Sequence, residues 1–168
     1  MTRDRGGGGL DFADWYCGAY PTVCRALRLA AGDVGLGEEV AAEAFARALV
    51  DWRKVSRLAS PAGWVYGVGL NELRHTRRRL VLQQRYVARQ RAENADPPSA
   101  PDDQLWRAVA RLAPRARTAV ALRYVADLPE AEIAEIMGVA RGTVAATLSS
   151  ARKQLALQLA PVPERTDR

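Results

Sequence analysis

From Arg141 to Lys153 the sequence sets Arg141, Thr143, Ala145, Ala146, Ser149, Arg152 and Lys153 along one face of a helical stretch, and every one of them is small, polar or basic. Such a face can enter a DNA major groove, where Arg and Lys donate to guanine edges, hydroxyls reach either base type and small residues allow close approach. A second concentration of chemistry lies upstream. Seven arginines follow Asn71 before residue 92, with Glu72 as the one acid among them. Guanidinium forks grip phosphate through paired hydrogen bonds, so this run suits a polyanion, although a run of like charge is also the ordinary make-up of a solvated helix face. Catalysis has no comparable support. No glycine-rich phosphate loop follows a strand, no nucleophile signature is present, and His75 is the only histidine, so we expect no catalytic residue, no metal site and no cofactor.

These residues need elements to hold them. Between Leu128 and Leu155 apolar residues at helical spacing stop at a glycine, turn and resume: Ile133, Ala134 and Met137, then Gly138, then Val144, Leu148, Ala151 and Leu155. That pattern predicts a helix-turn-helix, with Gly138 supplying the left-handed residue after the first helix. Ahead of it, residues 103–126 predict one or two helices through Leu105, Trp106, Val109, Leu112, Val120, Leu122 and Tyr124.

The N-terminal half predicts a helix from the N-cap Asp11, with Phe12, Trp15, Tyr16, Val23, Leu27 and Ala30 inward and a kink or break at Pro21, which cannot donate to the Cys17 carbonyl. A loop over Gly32 to Gly37 then precedes a helix from Glu38 to about Trp52, with Val40, Ala44, Phe45, Ala48 and Leu49 inward and Glu38 and Glu39 at the positive end of the dipole. Ser60-Pro61 is the start signal of a further helix reaching about Arg91. Residues 92–102 hold three prolines without periodicity and read as a linker, while 1–10 and 161–168 read as tails.

With no alternating β-branched run between turn residues, the expected fold is all-α: two small helical domains, residues 11–91 and 103–160, joined by a flexible linker. The formal charge of +6 and pI near 9.9 favour a polyanionic partner, although an Arg- and Ala-rich composition also follows from a GC-rich genome. Arg3 and Arg5 are followed by four glycines rather than an apolar stretch. No segment reaches the roughly 18 apolar residues of a membrane span. The expectation is a soluble, cytoplasmic protein without membrane insertion. Cys17 and Cys24 lie on one helix face about 10 Å apart along the axis, too far for a disulfide, and read as small core residues.

The string LAPRARTAVALRYVADLPEAEIAEIMGVARGTVAATLSSARKQL closely resembles the promoter-binding domain of bacterial extracytoplasmic-function (group 4) RNA polymerase sigma factors. The first helix with Tyr20-Pro21, the acidic string EEVAAEAFARAL and the string WVYGVGLNELRHTRRR resemble that family's other domain, in the same order, over about residues 11–159. The resemblance implies two partners, RNA polymerase core and promoter DNA, and leaves room for an anti-sigma factor. By its motifs, Glu39, Glu43, Ala44 and Phe45 would dock on the polymerase. Trp64, Tyr66, Asn71, Arg74, Arg77, Arg78 and Arg79 would face the minus-ten element, where the Asn71 amide can hydrogen-bond an extruded base and arginines hold phosphates, with core packing the equal alternative for Trp64 and Tyr66. The helix from Arg141 would read the minus-thirty-five element.

This sequence departs from the family pattern in several places. Ala42 replaces a common Gln, Gly67 and Gly69 replace larger residues, Ala140 replaces a capping Ser, and Ala145, Ala146, Thr147 and Ser150 replace polar or basic residues of the recognition helix. A competing reading of the same motifs is a conventional helix-turn-helix repressor or activator that binds DNA without polymerase.

Overall fold

A computed structural model describes residues 11–87 and 104–159, the side chains of 82–87 excepted. Every regular element among them is an α-helix, as expected. The expected tails, the linker and the last turn of the arginine helix lie outside the described residues.

The first helix, α1 (Phe12–Ala31), starts where Asp11 accepts from the Asp14 amide at 3.4 Å and ends at Gly32, whose φ of 67° turns its N–H back to the Arg28 and Leu29 carbonyls. The helix does not break at Pro21. Trp15, Tyr16 and Tyr20 stack around Phe45 with ring centroids 5.5, 5.0 and 5.5 Å away. Three such pairs at about 0.5–1.5 kcal/mol each are comparable to the roughly 3 kcal/mol penalty of an interior proline.

The second helix, α2 (Val34–Val50), begins four residues earlier than the glycines suggested, because Asp33 accepts from the Leu36 amide at 2.7 Å and caps it there. Gly37 serves close approach rather than a loop: a Cβ there would stand 2.3 Å from the Arg28 Cα of α1. Glu38 and Glu39 consequently fall outside the first turn. Leu49, expected inside, is 55% exposed, because the stripe Val40, Ala41, Ala44, Phe45 and Ala48 already forms the contact face and Leu49 falls beyond its edge. The single turn α3 (Trp52–Val55) brings Trp52 within 4.8 Å of Trp15. Cys24 is buried but Cys17 is exposed, so the face they share is covered only toward the C-terminal end of α1.

The long helix α4 (Pro61–Val87) starts as the Ser-Pro signal predicted, with Ser60 Oγ accepting from the Gly63 amide at 3.0 Å. In the C-terminal half, residues 103–126 form two helices, α5 (Gln104–Ala110) and α6 (Pro114–Tyr124), divided at Pro114. The helix-turn-helix follows as α7 (Glu130–Met137) and α8 (Arg141–Leu159), with Gly138 at φ 66° between them. Ile133, Ala134, Val144, Leu148 and Ala151 are buried, and Leu155 is half-buried. Leu105 and Tyr124, two of the residues that marked these helices, are 49% and 55% exposed. They border an apolar groove of about 620 Å³ shared with Trp106, Val109 and Leu155.

The two halves share one continuous apolar core, running from Val23, Leu27 and Leu73 into Val120, Leu122 and Ile133. The polar bonds of this seam are specific. Ser60 Oγ donates to Glu132 Oε1 of α7 at 2.5 Å, and Arg77 of α4 donates to the Ala30 and Ala31 carbonyls at 2.9 Å. Arg117 of α6 donates to the Ala110 carbonyl at 2.6 Å and to that of Ala31 at 3.4 Å. Cations thus close the carbonyl end of α1, where the helix dipole favours them.

Candidate nucleic-acid interface

The outward side of α8 is positioned by its buried stripe. Val144, Leu148 and Ala151 pack onto α6 and α7, which leaves Arg141, Thr143, Ala146, Arg152 and Lys153 exposed and Ala145 and Ser149 half-buried. Arg141 also reaches Glu130 of α7 at 3.9 Å, and the Thr147 hydroxyl donates to the Thr143 carbonyl at 2.7 Å. Arg152 stands at the margin of this face: together with Arg25, Tyr124 and Leu155 it lines the apolar groove. Gly142 and Ser150, which sequence reasoning left out of the reading face, are exposed on it. Helical phase was the available signal, since both fall opposite Val144 and Leu148 at 100° per residue.

On α4 the expected constellation divides. Asn71 is exposed, and its Oδ1 accepts from Arg74 at 2.7 Å, which leaves the amide NH2 free to donate outward. Arg74 also approaches the Met137 carbonyl of α7 at 3.5 Å. Arg78 and Arg79 are exposed, whereas Arg77 is half-buried and bound to α1. Burial and the neighbouring Arg117 lower the Arg77 pKa from its ordinary value. Trp64 is half-buried against the core. Tyr66 is 2% exposed, and burial together with the nearby Glu132 raises its hydroxyl pKa well above the usual tyrosine range. A base cannot stack on a ring so enclosed, so Tyr66 is corrected from a candidate contact to a core residue, held there by the seam that α7 makes over α4.

The acidic helix shows a similar split. Glu39 and Glu43 are exposed, but Ala44 and Phe45 are 0% and 2% exposed, and their packing against α1 keeps both from the surface. Arg47 bridges Glu43 at 2.7 Å and Glu72 of α4 at 3.0 Å, beside a groove of about 430 Å³ that Glu39 and Ala42 also line. The groove wall is thus carboxylate-rich, with its one arginine already paired.

Among the described residues no group of three His, Cys, Asp or Glu side chains could hold a metal ion, and no helix is long and apolar enough to cross a membrane.

Residues 102–155 match the family model described as Sigma-70, region 4. The chain shares its fold with a solved structure described as the sigma factor RpoE in complex with the anti-sigma factor NepR from Bartonella quintana. The match has a TM-score of 0.73 over 94% of this chain and 99% of that one, at 19% identity. It is also similar to a structure of the anti-anti-sigma factor PhyR complexed with NepR from the same organism, with a TM-score of 0.57 and 19% identity over 89% of this chain. In that case it spans 52% of the matched chain. No curated protein matches the sequence.

Proposed function

We infer from these findings that the protein is a sigma factor of the extracytoplasmic-function type, which binds RNA polymerase core, directs it to promoters and assists strand opening for transcription initiation. The observation that carries this is the helix-turn-helix α7–α8, its outward face small and basic, lying within the residues that match sigma-70 region 4. The fold match then extends the reading from that region to nearly the whole chain.

The division of labour is as follows. Residues 11–91 bind polymerase core and the minus-ten element, residues 92–102 link, and residues 103–160 bind the minus-thirty-five element. Glu39 and Glu43 present carboxylates to a basic face of the polymerase, while Ala44 and Phe45 support them from beneath. Asn71, oriented by Arg74, donates to a base edge as strands part, and Arg78 and Arg79 hold phosphates. Thr143, Ala146, Ser149 and Lys153 line the major-groove contact, with Arg141 at its entry. The protein performs no catalysis of its own, works in the cytoplasm where its polymerase does, and is a target for an anti-sigma factor.

Run-off transcription with purified core polymerase over a panel of genomic promoters tests the reading. Transcripts that require both the chain and a defined pair of upstream elements support it. Tight binding of the isolated chain to duplex DNA as a dimer, with no transcription on adding core, would instead establish a conventional helix-turn-helix regulator.

A further inference from the structure

Where α4, the start of α6 and the α7–α8 turn meet, they border a half-open cleft of about 370 Å³. Arg74, Arg77 and Arg115 line it, and no acidic residue does. Arg74 and Arg77 are held by an amide and by carbonyls rather than by carboxylates, and Arg115 has no hydrogen-bond or ion-pair partner among the described residues. Four other arginines do meet acids: Arg28 with Glu38, Arg47 with Glu43 and Glu72, Arg123 with Asp127, Arg141 with Glu130. Here positive charge is gathered and left uncompensated, and Arg117 adds more close behind Arg77. The eleven-residue α6 opens on the cleft wall with Pro114 and Arg115, and no side chain caps it. Its free first-turn amides and positive dipole end therefore add to the same field. The rest of the wall is apolar, through Leu70, Leu73 and Val139.

We propose that this cleft binds a small phosphate ester of nucleotide size, its phosphates held by Arg74, Arg77 and Arg115 and its apolar part lying on Leu70, Leu73 and Val139. The volume lies within the usual range of small-molecule sites, and a few convergent polar groups over an apolar floor are their usual make-up. Planar guanidiniums favour phosphate over other anions through paired hydrogen bonds. A free small molecule matches the roughly 370 Å³ of the cleft, whose walls come from both halves of the protein. Since the site exists only while those halves are packed, its ligand stabilises the packed arrangement by mass action.

The test is calorimetric titration of the full chain at fixed ionic strength with inorganic phosphate, AMP, ADP and a short duplex oligonucleotide, with sodium chloride as the control. AMP and ADP should bind saturably at one site per chain, tighter than phosphate, and should raise the melting temperature. Arg115→Ala, an exposed change, should weaken nucleotide binding about tenfold or more, the worth of one charge-assisted hydrogen bond. Val139→Trp, which fills the cleft without altering charge, should weaken it comparably, and circular dichroism checks that both variants keep their helix content. Arg53→Ala, a basic change on α3, should leave it unaltered. Non-saturating heats, equal losses in Arg53→Ala and Arg115→Ala, or Arg115-dependent binding of the duplex with none of the nucleotides would each overturn the proposal.

Discussion

Asn71 carries both a donor and an acceptor, yet in the folded chain Arg74 takes the acceptor and aims the donor outward. Asn71→Ala should therefore slow promoter opening more than it weakens polymerase binding, and Arg74→Ala should reproduce part of that defect. Permanganate reactivity of the opened strand measures both. Normal opening in Asn71→Ala would mean the residue is structural. Two glycines of the same helix separate by their surroundings. A Cβ at Gly67 would meet nothing within 4 Å, so Gly67→Ala should stabilise the protein by roughly 1 kcal/mol, the helix-propensity difference. A Cβ at Gly69 would stand 2.7 Å from Leu27 Cδ1, so Gly69→Ala should lower the thermal midpoint instead. Burial keeps Tyr66 neutral in the folded chain above the pH at which an unfolded tyrosine ionises. Its stabilising contribution is whole below pH ~10 and is lost above that as the unfolded form ionises first. An absorbance titration at alkaline pH should find one tyrosine that ionises only as the protein unfolds.

At the scale of elements, the sequence made the helix-turn-helix plain. Its period, its glycine and its small outward residues all pointed the same way, and α7, the turn at Gly138 and the start of α8 follow that pattern. Less was legible where two local signals competed. Gly35 and Gly37 suggested a loop, but Asp33 capped a helix through them, and the need for α1 to approach Gly37 explains a glycine that propensity alone could not. Motif position brings Tyr66, Ala44 and Phe45 forward as candidate contacts, but it does not reveal which side of a helix a neighbouring element will cover. On α8, Lys153 lies on the reading face and Arg152 on its margin, so the two should not behave alike. Lys153→Ala should weaken promoter binding by nearly the same factor across upstream-element variants and lower the salt slope by about one, whereas Arg152→Ala should change the slope less. Thr143→Ala should reorder the variants, at roughly 1–3 kcal/mol for the affected base. Holoenzyme affinity at two salt concentrations decides. Reordering by Lys153→Ala with uniform scaling by Thr143→Ala would refute this placement of α8 in the groove.

For the whole molecule the seam was invisible in the sequence, because its bonds join residues far apart in the chain: Ser60 with Glu132, Arg117 with Ala31. Composition announced an arginine-rich surface, but not that Arg77 and Arg117 would each donate to a carbonyl at the end of α1. Glu132→Ala leaves Ser60 as the cap of α4 and removes one bond across the seam. It should lower stability by about 1.5–3 kcal/mol, the usual range for a hydrogen bond to a charged group after solvent exchange, while polymerase binding is kept or improved. Chemical denaturation and a pull-down with core polymerase report the two quantities separately.

The halves that meet at this seam are also one covalent chain, joined between Val87 and Gln104. Their association is therefore intramolecular, governed by an effective concentration on the order of millimolar for a short tether and indifferent to how dilute the protein is. A partner that pries them apart competes with that fixed local concentration rather than with the cellular abundance of the protein. Lengthening the tether weakens the association without touching a contact. Doubling it costs the closed form only about 0.6 kcal/mol, so the balance between packed and separated halves is set by linker length as well as by the residues that touch.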